Sequence, residues 1–223
     1  MQPLEPEIKS TTTDRHPPAL MFFNELEART VEALVARVIP TEPNAPGARE
    51  AGVMIYIDRA VAGYFRGLQT LYRAGIQELN EFSESRCGAA FADLSDEQQD
   101  GLLAELDGQE RGSNSSDNAL RDGAAVDELR SSPSTPNQRP TPESEDSLLM
   151  RFFAVVCDQT IQGMFCDPIC GGNRNGIGWK LIGFPGAQWG YSVDQLHPGY
   201  DATTIPVQTL IDLRRRFGGG QHG

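Results

Sequence analysis

The sequence predicts an all-α protein: a helical bundle of about five helices, followed by an irregular C-terminal loop region rich in Gly, Trp and Pro. Three observations carry that prediction. Apolar residues recur at three- and four-residue spacing in successive stretches. Two stretches open on a capping-box pattern. Nowhere does apolar–polar alternation of strand length appear.

Taken in order, residues 1–20 (MQPLEPEIKSTTTDRHPPAL) read as a flexible N-terminal arm. They hold Pro, Thr and charges, with neither an apolar signal core nor adjacent arginines. Residues 21–223 are expected to form a single helical domain. Asn24 and Glu27 make a capping box, with Phe22 and Phe23 placed to anchor it. Val31, Leu34, Val35 and Val38 then hold helical spacing until Pro40. After the turn TEPNAPGA a second helix opens near Arg49, with Val53, Ile57 and Val61 on one face and Tyr64 beyond. A third runs through Leu68, Leu71, Tyr72, Ile76, Leu79 and Phe82 to a stop at Gly88. Ser95 and Gln98 cap a fourth, carrying Leu102, Leu103 and Leu106.

The composition breaks at 107–146. This stretch has no aromatic residue, and its large apolar side chains are Leu120, Val126 and Leu129. It cannot bury enough apolar area to offset its ordering entropy, so a mobile insertion is expected, with room for one short helix near Ala119–Arg130. Beyond it, Asp146 or Ser147 caps a fifth helix bearing Leu148, Leu149, Phe152, Phe153, Val156, Thr160, Ile161 and Met164. Apolar on most sides, it belongs at the centre of the bundle or against another subunit.

The charge narrows the function classes. The chain carries 19 Lys+Arg against 31 Asp+Glu, a net −12. That disfavours a general nucleic-acid binder or a protein held on anionic lipid by charge. By segment the charge is about −1 over 1–20, −7 over 21–106, −5 over 107–146 and +1 over 147–223. The C-terminal third, with Arg214, Arg215 and Arg216, is the part suited to an acidic partner. No apolar run reaches the length of a membrane span.

Tests for chemistry return little. Of the three histidines, His16 lies in the arm, His222 in the Gly-rich tail, and His197 beside Pro198 and Gly199 in an expected turn. In the run from Gly171 to Lys180, Gly171 and Gly176 have phosphate-loop spacing, but Ile177 stands where Lys is required. The dinucleotide fingerprint also fails, since Leu181 follows Gly176 and Gly178 where a third Gly belongs. Cys157, Cys166 and Cys170, with Cys87 far upstream, show no paired zinc spacing. They leave open an irregular iron–sulfur site or a local Cys166–Cys170 disulfide.

The loop system is more specific. Asp167-Pro168-Ile169-Cys170-Gly171-Gly172-Asn173, followed by Gly178-Trp179-Lys180-Leu181-Ile182-Gly183-Phe184-Pro185-Gly186, resembles the signature of the gluconate 2-dehydrogenase subunit 3 family. The N-terminal block is similar too: Arg37-Val38-Ile39-Pro40-Thr41, Pro46-Gly47-Ala48, Ala51-Gly52-Val53 and Ile57-Asp58. The resemblance covers about residues 21–106 and 147–190. Cys170 departs from it, standing where the motif typically has an aromatic residue.

The resemblance implies a non-catalytic small subunit of a flavin-dependent sugar dehydrogenase complex, with no cofactor of its own. FAD is expected on a glucose–methanol–choline-type catalytic subunit, and haem c on a third, cytochrome c subunit. The small subunit would serve folding, stability or export of its partner. The expected location is periplasmic, in an inner-membrane-associated complex, with the cytoplasm as the alternative because no twin-arginine signal is visible. The expected partner interface comprises Asp167, Pro168, Gly171, Gly172, Asn173, Arg174, Gly178, Trp179, Gly183, Phe184, Pro185 and Gly186. Glycines there permit close approach, Trp179, Phe184 and Trp189 offer anchors, and Arg174 offers a carboxylate partner. Trp179 and Phe184 are equally suited to plugging this chain's own bundle. Two rival readings remain: an iron–sulfur redox subunit on Cys157, Cys166 and Cys170, and a free-standing protein-binding module.

Overall fold

A computed structural model describes residues 19–113 and 148–217. The arm as far as Pro18, the expected helix near Ala119–Arg130, the cap at Asp146 or Ser147, His16 and His222 lie outside the described residues. Among those described there are eight α-helices and no strand.

Helix α1 (Glu25–Val38) opens on the expected capping box: Asn24 Oδ1 accepts from Glu27 N, and Glu27 accepts from Asn24 N, both at 2.9 Å. Val31, Leu34 and Val35 face inward and are at most 1 % exposed. The expected second helix is two. Helix α2 (Ala48–Ala51) ends at Gly52, whose φ of 71° is left-handed, and α3 (Val53–Ala62) starts from that same residue. A left-handed residue cannot sit inside an α-helix, so the chain turns there. Val53, Ile57 and Val61 are fully buried as expected, whereas Tyr64 is exposed.

Helix α4 (Gln69–Cys87) stops at Gly88, again left-handed with φ 76°. Ser95 and Gln98 form their reciprocal cap ahead of α5 (Asp96–Ser113), at 3.0 and 3.3 Å. The helix therefore continues past Leu106 into what composition marked as insertion. Arg37 reaches from α1 to Asp96 and Asp100, tying α5 to the bundle.

Helix α6 (Leu148–Phe165) is central, packing on α1, α2, α3 and α4. Two glycines set its approach. A Cβ on Gly75 of α4 would lie 2.2 Å from Phe152 Cγ, and one on Gly163 would lie 2.9 Å from the Tyr56 ring. At the core, Tyr72 stands edge-on to Phe152 at 5.4 Å and donates its hydroxyl to Gln159 at 2.8 Å. Gln159 is itself buried, so each polar group satisfies the other. Ile161, expected on the apolar face, is 55 % exposed.

The C-terminal third is irregular but not shapeless. Short turns at Pro168–Cys170 and Arg174–Gly176 lead into α7 (Ile177–Leu181), and α8 (Leu210–Phe217) closes the described chain. No described helix is long and apolar enough to cross a membrane.

Candidate functional site

The glycine loop is built against the C-terminal end of α6. Asp167 starts it, accepting from Ile169 N at 3.0 Å through Oδ1 and from Leu210 N at 2.9 Å through Oδ2. One carboxylate thus caps the Pro168–Cys170 turn and holds the start of α8. Pro168 fits the first position of that turn, where no N–H is needed.

Asn173 is the hinge. Its backbone is left-handed (φ 42°), a conformation Asn tolerates better than most side chains. Fully buried, it makes three bonds at once. Its N–H donates to Gly163 O at 2.8 Å, its Nδ2 to Cys166 O at 2.7 Å, and its Oδ1 accepts from Gly178 N at 2.8 Å. Either side of it the backbone lies so close to α6 that a side chain has no room. A Cβ on Gly172 would be 2.2 Å from Gly163 O, and one on Gly178 would be 2.0 Å from Met164 O.

Trp179 fills the inside of the loop. It is 5 % exposed and donates its indole N–H to Phe165 O at 2.7 Å. Phe184 stands edge-on against it at 5.3 Å, and Phe184 N returns to Trp179 O at 2.8 Å. Gly186 closes the system under the Trp179 ring, while Ala187 N donates to Gln208 O at 2.8 Å and Gln208 N to Pro185 O at 3.0 Å.

The expected interface residues therefore divide into two layers. Gly172, Asn173, Gly178, Trp179, Pro185 and Gly186 are buried within this chain. Arg174 and Phe184 are exposed, and Asp167, Pro168, Gly171 and Gly183 are half-buried. Just beyond, exposure of apolar groups is concentrated. Between 181 and 200 the large apolar side chains Leu181, Ile182, Phe184, Trp189, Tyr191, Val193, Leu196 and Tyr200 are all exposed, Trp189 by 80 %.

Two arginines cross between the loop and α3. Arg174 lies over Gly52, where a Cβ would be 3.0 Å from Nη2. Arg59 lies over Gly171, where a Cβ would be 2.9 Å from Nη1. Tyr56, on the α3 face between them, donates its hydroxyl to Gln162 at 2.9 Å.

Two residues have roles that sequence reasoning did not assign. Asp58, 1 % exposed, accepts the backbone N–H groups of Met21 (2.7 Å), Phe22 and Phe23 (both 2.9 Å). Its signal was a carboxylate in register with the apolar Met54 and Val61 on a helix. Arg59 follows it and carries no signal beyond its charge.

The cysteines do not converge. All four are free thiols, so the local Cys166–Cys170 disulfide is not formed here. Cys157 and Cys166 sit nine residues apart along the α6 axis, about 13 Å at helical rise. That is too far for both to ligate one cluster, and the iron–sulfur reading on Cys157, Cys166 and Cys170 fails on this geometry. Among the described residues no three of His, Cys, Asp or Glu stand together as metal ligands. Burial, with Cys170 second, pushes the Cys166 thiol up to about 12, the opposite of an activated nucleophile. His197 ends the Asp194–Leu196 turn, exposed, with its carbonyl accepting from Tyr200 N at 3.1 Å.

What the site does present is a scaffolded surface rather than a reaction centre, and comparison with known proteins agrees with the helical block and loop forming one unit. The model of the family described as gluconate 2-dehydrogenase subunit 3 matches residues 25–186. No curated protein and no solved structure matches the chain. Since that match runs from the first turn of α1 to the glycine that closes the loop around Trp179, the chain belongs to the gluconate 2-dehydrogenase subunit 3 family.

Proposed function

We propose that this chain is a non-catalytic small subunit that binds and stabilises an FAD-containing sugar dehydrogenase of the glucose–methanol–choline type. The observation that carries the reading is the band of exposed apolar residues after the loop, from Leu181 to Tyr200. Eight large apolar groups within twenty residues exceed what an isolated surface carries at random, and such patches mark protein contacts. The mechanism is burial: the loop, held rigid by Asn173 and Trp179, offers these groups to the flavoprotein, which covers them. A preordered loop loses little entropy on docking.

Electron transfer onward to a cytochrome c subunit carrying haem c belongs, in this reading, to the other chains. The assembled complex works at the periplasmic face of the inner membrane.

The test is co-expression with the flavin dehydrogenase encoded beside this chain. Co-elution on size exclusion, with higher yield and FAD occupancy of the flavoprotein than when it is made alone, is the expected result. Two separate peaks, with flavoprotein yield indifferent to this chain, would overturn the reading.

A further inference from the structure

We infer that Arg59 and Arg174 form a two-point carboxylate clamp that registers the chain on an acidic stretch of its flavoprotein partner, an inference that rests on the subunit reading above. The two guanidinium groups are placed by a crossed arrangement. The helix arginine lies on a glycine of the loop, and the loop arginine lies on the glycine that caps the helix. Both seats, Gly171 (φ 105°) and Gly52 (φ 71°), have left-handed backbones. With no Cβ at either seat, each guanidinium rests close to the main chain, which restricts its orientation.

A guanidinium has five N–H donors in a fixed fork suited to carboxylates. Neither arginine donates to, or pairs with, any acceptor among the described residues, although both are exposed. The contrast lies within the same molecule. Arg29, Arg37, Arg73 and Arg86 each have a carboxylate on Asp93, Asp96, Glu27 and Glu105. Those four tie helices of the bundle together, whereas Arg59 and Arg174 tie nothing.

Spacing identifies the occupant. Gly52 and Arg59 are seven residues apart, two turns on one face of α3, or about 10 Å. That separation does not converge on one small anion. It suits two carboxylates on a folded surface, and a chain of net −12 otherwise repels such a surface. The clamp therefore supplies register, while the apolar band supplies area.

The experiment compares the full chain with Arg59→Gln, Arg174→Gln and the double variant, binding the purified flavoprotein by surface plasmon resonance across a salt series. Circular dichroism verifies helicity. About tenfold weaker binding per arginine is expected, with a shallower salt dependence in the double variant. Arg59→Lys with Arg174→Lys serves if the glutamine double fails to fold, and should fall between. Unchanged affinity and salt slope in the double variant would overturn the clamp while leaving the subunit reading intact. Failure of the unsubstituted chain to bind would overturn both. A chain lacking residues 114–147 distinguishes the remaining occupant: if its loss of affinity matches and masks that of the double variant, the carboxylates belong to this chain's own acidic insertion and the clamp on the partner is wrong.

Discussion

Asp58 holds Phe23 in place: its Oδ1 accepts the Phe23 N–H at 2.9 Å, inside a bundle where both residues are almost fully buried. The same carboxylate takes the N–H groups of Met21 and Phe22, so one side chain satisfies three successive backbone donors ahead of α1. Phe23 then packs on Tyr72 at 5.6 Å, linking the segment's entry to the core. Removing the carboxylate orphans these donors where water is scarce. Asp58→Ala should cost about 3–5 kcal/mol, and Asp58→Asn roughly half, since one amide oxygen still accepts. Thermal melts by circular dichroism check this; a fall below about 3 °C for the alanine variant would show that Asp58 anchors nothing.

The loop's glycines differ in what they tolerate. At Gly172 and Gly178 a methyl group would sit 2.2 and 2.0 Å from α6 carbonyl oxygens, and backbone cannot yield as a flexible side chain can. Gly172→Ala and Gly178→Ala should each cost about 3 kcal/mol or more, because the loop must lift from α6. Gly67 has no atom within 4 Å of such a group and an ordinary φ. Gly67→Ala should stay within about 0.5 kcal/mol. Equal melting temperatures for the three variants would contradict the close docking of the loop.

The cap residues were legible because a capping box is a local pattern: Asn24 with Glu27, and Ser95 with Gln98, need no knowledge of tertiary neighbours. The helix faces of α3 and α4 were legible for the same reason. Gly52 was not, since a glycine inside an apolar period reads as a tolerated weakness until its φ is known. The loop motif was visible but its inward side was not. Only packing decides that Asn173 and Trp179 serve α6 while Arg174 faces outward. The crossed seating of Arg59 and Arg174 joins residues more than a hundred positions apart, and no local pattern encodes such a pair.

Cys166 should be the slow thiol of this protein. Burial first, and then Cys170, push it up to about 12 from an ordinary 9.0. At pH 8 almost all of it stays protonated, and the thiol is a poor nucleophile. Cys170 is exposed, so iodoacetamide at pH 8 should modify Cys170 well before Cys166, as read by peptide mass spectrometry. The sign for stability follows. Between pH 9 and 12 the unfolded chain loses this proton and the folded chain keeps it, so stability falls as pH rises through that window. Cys166→Ser should flatten that decline. Equal alkylation rates at the two cysteines would refute the assignment.

The exposed band makes a prediction that separates interface from fold. Trp189 is 80 % and Val193 77 % exposed, so replacing them removes little that stabilises the isolated chain. Trp189→Ala with Val193→Ser should leave the melting temperature nearly unchanged and improve the solubility of the chain made alone, because an apolar patch is reduced. If the band is the surface that the flavoprotein covers, the same pair should weaken the complex by about 30-fold or more, since large aromatic anchors dominate protein interfaces. Phe184→Ala differs, because Phe184 also braces Trp179 from outside. It should lower both stability and affinity. A double variant that binds the flavoprotein as tightly as the unsubstituted chain would place the interface elsewhere and leave the band without its proposed role.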